Sequence, residues 1–526
     1  MRIQHRYNHS PEIIHLKTKW IPALFLLAYG LSAGTSAWAA DYEAGGGTAT
    51  STFNDATAVG DGSEATADSA SAFGYNADAT GEQSTASGAL SDASQTFASA
   101  FGYDADATGT QSTALGADSD ASQHGASAFG YNADATGIGS TASGAYSDAT
   151  QTNASAFGYI SQATGEQSTA SGSLSNATQL NASAFGYQAQ ATGQNSTASG
   201  ANSNATQTYA SAFGYNAYAT GEGSIASGAA SVASGSYSTA SGTLSNASAD
   251  YSSAFGTNAR VLSNSATGSQ YSIAIGGGDS AATAAQVGTA TGNGAEAAIA
   301  MGYNATVNDD ADNAIAIGSN SNAQSAGSIA MGNNATAVES NSVAIGNGAT
   351  ALSSVAVGTG SQATGTNTTA IGDNATASGD QAVAVGNNAS ATHNNSVAIG
   401  NGSTTSATDT VSVGSAGSER RITNVADGVN DTDAVNVRQL NAMDLEIDEL
   451  RDDAFSGVAS VAAMAMIPPP NPGDKISFGM GYGNYEGRDA IALGLNAKTT
   501  KNSNLRIGLG RSGGKTTFGA GAAFSW

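Results

Sequence analysis

The chain has 526 residues, including 68 glycines and no cysteine, with 7% aromatic residues and a formal net charge of −25. This composition is poor in the large apolar side chains that fill a conventional globular core, and disulfides cannot replace them. Arg260 is the only basic residue between Lys19 and Arg420. The basic patch that nucleic-acid binding requires is therefore missing, and we exclude nucleic acid as a partner.

Residues 1–39 have the pattern of a secretion signal. Basic residues precede an apolar run at 20–31, and small residues then lead to a cleavage site after Ala39. The run is too short for a membrane-spanning helix, which needs about 20 residues. The sequence therefore predicts an exported protein that begins after the signal.

Residues 40–417 form a field of 14-residue repeats. From Gly60 to Gly256 a glycine recurs every 14 residues, always with an alanine two positions before it. A short fixed period indicates a solenoid, and 14 residues fit two short strands joined by two tight turns. Each repeat is thus predicted to be one coil of a parallel β-roll. The period slips at 257–271 and 277–296, which we interpret as tolerated insertions, with a functional loop as the alternative.

Side chains on either side of the repeat alanine lie on the opposite face of the strand. They are branched in the second half, as in Val343 and Ile345, whereas Phe73 and its counterparts alternate with serine in the first half. The sequence does not decide which face is inside, although the unbroken alanine favours the more crowded one. Tyr75 and its counterparts are candidates for an exposed aromatic ladder that binds a partner. One coil encloses so little that partner chains are expected alongside it.

A neck at 418–440 leads into a short coiled coil at 440–467, which the following prolines end. Leu440, Ile447, Ala454 and Val461 fall at one heptad position, and Met443, Leu450, Gly457 and Met464 fall at its partner. Charged residues lie between these positions from Asp444 to Asp453. An amphipathic helix packed on its own domain is the alternative.

Residues 468–526 contain four stretches in which apolar residues alternate with small or polar ones, as in the strands of outer-membrane barrels. Four strands cannot close, and a sheet in lipid leaves no edge unpaired. Two chains would supply eight strands and three would supply twelve, and twelve hold three helices more readily than eight hold two. The lumen glycines that leave room for these helices are Gly479, Gly481, Gly483, Gly508, Gly519 and Gly521.

The Ser-Val-Ala-Ile-Gly repeats, the segment 421–440 and the four-strand end with Phe524 and the terminal Trp526 resemble the YadA-type trimeric autotransporter adhesins of type Vc secretion. The resemblance implies a homotrimer with a left-handed parallel β-roll head, a short trimeric coiled coil and a twelve-stranded barrel. It also implies an outer-membrane location with the head on the cell surface. The head would be exported through that barrel, and barrel assembly machinery would insert it by recognising Phe524 and Trp526.

The resemblance further implies attachment to extracellular matrix proteins (collagen-like proteins, fibronectin or laminin) or to other cells, together with autoaggregation. An Asn-Ser-Val-Ala-Ile-Gly-x-x-Ser motif is associated with collagen in this family. The stretch 395–403 matches this motif in full, and 341–349 lacks only the final serine, where Ala349 stands. The candidate ligand-binding residues are Asn341, Ser342, Val343, Ala344, Ile345, Gly346, Asn395, Ser396, Val397, Ala398, Ile399, Gly400 and Ser403. A surface or biofilm scaffold that acts by self-association, without a host ligand, is the alternative function.

We expect neither catalysis nor a cofactor. The two histidines that remain after signal removal, His124 and His393, lie in separate repeats, and no metal-ligand spacing or phosphate loop is present in the sequence. Asp309, Asp310 and Asp312 carry the oxygen ligands that Ca²⁺ prefers. An acidic, solvated turn is the favoured interpretation of these three residues.

Overall fold

The structure is a computed structural model that describes residues 41–51, 55–265 and 268–526. The expected secretion signal and its cleavage site at Ala39 lie outside the described residues. The chain divides between Glu419 and Arg420 into two compact units, each of which is described by itself. Among the described residues, no helix is long and apolar enough to cross a membrane.

The first unit is a parallel β-solenoid that begins with Tyr42–Ala44 and ends with Val411–Ser412. In a typical coil, a three-residue strand such as Ser71–Phe73 ends one residue before the repeat glycine. A two-residue strand such as Asp78–Ala79 begins four residues after that glycine. Each strand pairs in parallel with its equivalent in the next coil, as Ser71 does with Thr85. The predicted parallel roll is confirmed. Two adjoining coils near its end have longer strands, Thr350–Val357 and Gln362–Ile371.

The repeat glycines are required by backbone conformation and by the close approach of the coils. Gly74 has a φ of 142°, which side chains of L-residues rarely allow. A Cβ on Gly74 would lie 2.3 Å from the carbonyl oxygen of Gly88 in the next coil. The repeat glycines therefore lie where the backbones of successive coils are in contact, which explains why they recur every 14 residues.

Alanine lines the inside of the roll, which answers the question that the sequence left open. The repeat alanines are buried, and the residues on either side of them point outward and remain partly exposed. Buried serine hydroxyls complete the interior by donating hydrogen bonds to turn carbonyls, as Ser112 does to Gly109 at 2.6 Å. Most coils thus enclose alanine methyl groups and hydrogen-bonded serine hydroxyls, and Val261, Val287 and Val307 are the largest fully buried apolar side chains among the described residues of the roll.

The slips at 257–271 and 277–296 do not interrupt the ladder of strands. Each segment contains one regular strand, Arg260–Val261 and Gln286–Val287, and these two pair with each other in register. The described residues that exceed the 14-residue period therefore lie in the connections before and after these strands. They do not form a single bulge in each irregular segment.

The second unit begins with a neck that folds back on the start of a helix, Val437–Ala465. Asn436 caps the helix by accepting a hydrogen bond from the backbone N–H of Gln439. The Gln439 side chain accepts from the N–H of Gly428 and donates to its carbonyl, at 2.9 and 3.0 Å. Arg438 forms an ion pair with Asp427. These contacts fix where the helix starts.

Four antiparallel strands follow and pair in sequence order: Ile476–Tyr485, Arg488–Thr500, Ser503–Ser512 and Lys515–Phe524. The predicted four-strand end is confirmed. Alternation of glycine with apolar residues gives the sheet one small-residue face and one apolar face, since side chains alternate along a strand.

Candidate functional sites

The C-terminal half of the helix packs on the small-residue face of the sheet. A Cβ on Gly481 would lie 2.0 Å from the carbonyl oxygen of Ala463, and one on Gly483 would lie 2.6 Å from the Ala463 nitrogen. Helix and sheet backbones are therefore in direct contact, which only glycine permits here. Arg506 adds hydrogen bonds to the carbonyls of Met464 and Ile467.

The structure places five of the six predicted lumen glycines beside the helix or the residues just after it. Gly479 faces Ile467, while Gly508 and Gly519 face the side chain of Met464. Apart from its two chain neighbours, no described residue has an atom within 4 Å of the position that a Cβ on Gly521 would take. The sixth glycine thus lies on the open part of the face, beyond the reach of this one helix.

Three features of the second unit are left uncovered in one chain: two apolar surfaces and the outer edges of the sheet. In the helix, heptad residues such as Leu440 and Leu450 are exposed. On the sheet, the face away from the helix presents exposed side chains such as Phe478 and Met480. The first and last strands are paired on one side only. One copy of the chain therefore leaves a coiled-coil seam, an apolar sheet face and two strand edges unsatisfied.

The second half of the head also has an uncovered surface, a column of branched side chains that runs from coil to coil. Val343, Val355, Thr369, Val383 and Val397 stand opposite one another in successive coils, all on the outer side of the roll. A second outward row accompanies them two residues further along each strand. Together they form an unbroken branched-chain surface, of the kind that sister chains would cover.

The two candidate ligand motifs lie on this column, but nearly half of their side chains are inside the roll. The buried members are Ser342, Ala344, Ser396, Ala398 and Ser403. The hydroxyls of Ser342 and Ser396 donate to the carbonyls of Glu339 and His393 at 2.7 and 2.6 Å. These five residues shape the coil and do not meet a ligand on the surface.

The remaining motif residues have three distinct placements. Val343, Ile345, Val397 and Ile399 point outward from the strands, and Gly346 and Gly400 occupy the glycine positions where coils touch. Asn341 and Asn395 are exposed turn residues with φ of 60° and 51°. The Asn395 amide donates to Asp409 in the next coil at 2.7 Å. The asparagines are thus the motif's polar, accessible groups.

Asp309 and its neighbours anchor the inserted connections. The Asp309 carboxylate accepts hydrogen bonds from the backbone N–H and hydroxyl of Thr289, at 2.8 and 2.7 Å, and from the N–H of Gly294 at 3.1 Å. Asp310 accepts from Asn293, and Asp312 accepts from the N–H of Glu296. No cluster of three or more metal-ligating side chains occurs within the described ranges. The three aspartates therefore anchor these connections, and Asp310 and Asp312 are exposed, as in the acidic, solvated turn expected from the sequence.

A column of stacked carboxylates runs along the first part of the head. Equivalent side chains of successive coils stand opposite one another, and its aspartates are Asp78, Asp92, Asp106, Asp120, Asp134 and Asp148. Burial, followed by the charges of Asp92, Asp104 and Asp120, raises the pKa of Asp106 to about 6. Burial also raises the pKa of the other five. From Gln162 onward, uncharged side chains occupy the column as far as Asn246.

The pKa values of this column predict that the head loses stability as pH rises. Because the folded pKa lies above the unfolded value near 3.8, the folded head holds more protons between about pH 4 and pH 6. Its free energy of unfolding should be highest below about pH 4 and should fall until about pH 6. Asp106→Asn should raise it at pH 7 by roughly 1 kcal/mol, after allowance for partial exposure. Thermal unfolding of the full chain from pH 4 to pH 7 measures this.

Asn176→Asp is the matched reverse change, because it places a carboxylate in the amide part of the same column. It should lower the unfolding temperature at pH 7 and have little effect at pH 4. A head whose stability rises steadily from pH 4 to pH 7 would contradict the assigned direction.

Family models match the head, the stalk and the anchor over most of the described chain. The YadA head domain repeat matches in successive copies from 54 to 259 and from 290 to 415. The coiled stalk of trimeric autotransporter adhesin matches 421–463, and the YadA-like membrane anchor domain matches 468–526. The chain belongs to the YadA-type trimeric autotransporter adhesins. The interval without a head match, 260–289, falls in the part of the head that contains the extra residues.

Two solved structures are similar to parts of this YadA-type chain. One is the solid-state NMR structure of the membrane anchor domain of the trimeric autotransporter YadA, with 21% identity, covering 20% of this chain and 97% of that chain, with a TM-score of 0.17. The other is the crystal structure of the collagen-binding domain of Yersinia adhesin YadA, with 22% identity, covering 48% of this chain and 85% of that chain, with a TM-score of 0.14.

Membership of the YadA type gives the chain a location and a general role. The membrane anchor domain indicates an outer-membrane autotransporter with its head displayed on the cell surface. The domains are those of a structural or adhesive protein.

Sequence reasoning found the periodic tyrosines but missed Tyr146, which lies outside their 28-residue period and contacts two of them. Tyr146 could have been found from the sequence, because it lies in the coil between those of Tyr131 and Tyr159.

Proposed function

We propose that the protein is a homotrimeric, non-enzymatic adhesin whose three anchors close into one twelve-stranded barrel and whose heads pass through it to the cell surface. The observation that carries this proposal is the set of uncovered surfaces in one chain: the apolar head column, the helix seam and the two sheet edges. Sister copies satisfy all of them at once, because symmetric copies present the same surfaces. Barrel assembly machinery would recognise the exposed Phe524 and Trp526.

The proposed ligand is a collagen-type matrix protein. One complete copy of the collagen-associated motif, Asn395 to Gly400 with Ser403, supports this, as does a second copy that has Ala349 in place of the final serine. We place the outward Val343, Ile345, Val397 and Ile399 at contacts between sister chains, because they continue the apolar column. The residues that contact the ligand are then the turn asparagines, Asn341 and Asn395, and the polar residues near them. Fibronectin and laminin are the other matrix candidates.

The test displays the full chain on bacteria that lack other adhesins and measures attachment to collagen, fibronectin and laminin. Asn341→Gly combined with Asn395→Gly removes both amides while keeping the left-handed turn that glycine tolerates. We expect collagen attachment to fall about five-fold or more. Asn367→Gly is the control, because this turn residue has the same conformation but precedes Thr-Thr instead of Ser-Val. If the double variant attaches to collagen as well as the parent does, the two asparagines are not part of the collagen site.

One observation favours self-association as a second function. Between Gln167 and Gly278 the only charged residues are Glu222, Asp250 and Arg260, whereas residues 55–166 are acidic throughout and contain no lysine or arginine. Two heads meet with the least repulsion at this nearly neutral stretch. Cells that clump strongly while binding none of the matrix proteins would support the scaffold function over the matrix adhesin.

A further inference from the structure

Three tyrosine rings from successive coils meet on the outside of the head. The ring centroids of Tyr131 and Tyr146 are 5.2 Å apart with planes at 85°, and those of Tyr146 and Tyr159 are 6.1 Å apart with planes at 84°. Tyr131 and Tyr159 thus both stand almost perpendicular to the ring between them. All three side chains are about half exposed.

The repeat pattern produces this cluster at one place in the first part of the head. A tyrosine follows the repeat glycine in every second coil, and Tyr131 and Tyr159 are two consecutive members of that series. In the intervening coil this position is Ala145, which keeps the space between the two rings open. Tyr146 occupies the next position. The same position in the other intervening coils of the series is occupied by Leu90, Asp118, Leu174 and Asn202.

Tyr146 is held in a backbone conformation that tyrosine seldom adopts. Its φ is 57°, in the left-handed region that asparagine and glycine favour. Its N–H donates to the carbonyl of Tyr131 at 2.9 Å, which ties the two residues together. The equivalent residues Leu90 and Leu174 have φ of 64° and 59°, so the turn of the repeat imposes this conformation on whichever residue stands there. At this one position the residue is a tyrosine, and the turn places its ring against the two periodic rings.

The electrostatics of the cluster favour a cation. A hydrogen bond with Tyr146 and then the charges of Tyr146 and Asp118 raise the pKa of Tyr131, so its ring remains a neutral phenol at physiological pH. Residues 55–166, which surround the cluster, contain no lysine or arginine. The negative faces of aromatic rings attract a cation within about 6 Å of the ring centroid. No competing lysine or arginine from this stretch of the head occupies that position.

We propose that Tyr131, Tyr146 and Tyr159 form a site for a quaternary ammonium group of the choline type, carried by a soluble compound or by a lipid headgroup. Such a cation is bulky, weakly hydrated and unable to donate hydrogen bonds, so mutually perpendicular rings bind it better than carboxylates do. A primary ammonium is compact and strongly hydrated and gains less from the rings. The site does not depend on matrix binding, since none of the collagen motif residues takes part.

A second tyrosine cluster in the same head supplies a matched control. Tyr237, Tyr251 and Tyr271 stack nearly parallel, with centroids 5.5 and 5.1 Å apart and planes at 9° and 11°. Parallel stacking covers the ring faces with one another and leaves mainly edges exposed. Tyr251 has the same φ of 57° as Tyr146 and nearly the same exposure, 47% against 45%. The two tyrosines differ in ring geometry rather than in backbone or burial.

The test uses the full chain in a glucoside detergent, which contains no quaternary ammonium. Saturation-transfer NMR on the methyl protons of phosphocholine measures the apparent Kd, and phosphoethanolamine competes for the site. We expect millimolar phosphocholine binding and at least ten-fold weaker phosphoethanolamine competition. Tyr146→Asn should weaken binding about five-fold or more, while Tyr146→Phe and Tyr251→Asn should stay within two-fold of the parent. Asn132 occupies the equivalent turn, so Tyr146→Asn retains the fold, which circular dichroism checks.

Vesicles of phosphatidylcholine and of phosphatidylethanolamine then identify the source of the group. Capture of the phosphatidylcholine vesicles alone assigns the site to a membrane surface, and phosphocholine binding without vesicle capture assigns it to a soluble compound. Both outcomes support the proposal. Absence of phosphocholine binding, equal competition by phosphoethanolamine, or equal losses in Tyr146→Asn and Tyr251→Asn would overturn it.

Discussion

Alanine at Gly358 should disrupt the coil in which it lies and lower the stability of the head by about 3 kcal/mol or more per chain. Gly358 has a φ of 132°, and a Cβ there would lie 2.5 Å from the carbonyl carbon and oxygen of Gly372. Both the strained backbone and the contact with the next coil oppose a side chain. The neighbouring coils cannot move apart without losing the hydrogen bonds that join them.

Gly348→Ala is the matched control from the preceding coil. Gly348 also has a positive φ, of 67°, but a Cβ there would meet no atom of the described residues within 4 Å, its two chain neighbours aside. This change should cost about 1 kcal/mol, the ordinary penalty for a left-handed alanine. Thermal unfolding and limited proteolysis of the two variants measure the difference. Equal losses would mean that coil contact does not explain the glycine period.

Alanine at Gly481 should prevent the helix from seating on the sheet and reduce surface display of the head at least ten-fold. A Cβ there would lie 2.0 Å from the carbonyl oxygen of Ala463, a backbone atom that no side-chain rotation can move away. The displaced helix would also lose the hydrogen bonds from Arg506 to Met464 and Ile467. Antibody labelling of the head on intact cells, compared with total protein, measures the effect.

Gly521→Ala tests whether the effect comes from the helix contact. Gly521 belongs to the same set of small strand residues, yet the space beside it is open within 4 Å. Its replacement should leave display within two-fold of the parent. If both variants display the head normally, the helix does not occupy the observed place in the assembled anchor.

The glycine and alanine periods were sufficient to predict the parallel roll, since a 14-residue coil has few ways to turn twice and stack. They could not decide the inner face, because alternation along a strand is symmetric until burial is known. The structure decides it through Ala72 and its equivalents, which are buried, while Ser71 and Phe73 retain exposure. The four terminal strands could also be predicted, because apolar residues alternate with small or polar ones along each of them.

Contacts between residues that lie off the period were not predictable. The hydrogen bonds of Asp309 to Thr289 and Gly294 depend on how an irregular loop folds, which no repeat encodes. The burial of Ser396 and Ser403 depends on turn geometry, so the motif alone could not separate structural from accessible residues. Tyr146 was missed because its contacts join neighbouring coils at positions that the doubled 28-residue period does not include.

Counting the chains in one folded particle tests most directly whether sister copies complete this protein. Native mass spectrometry of the full chain, released from outer membranes into detergent, should give particles of three copies. The same particles should keep a protease-resistant head. A particle of one copy with a folded head and a membrane-inserted anchor would contradict the account, because the apolar column, the helix seam and the strand edges would then need no partner.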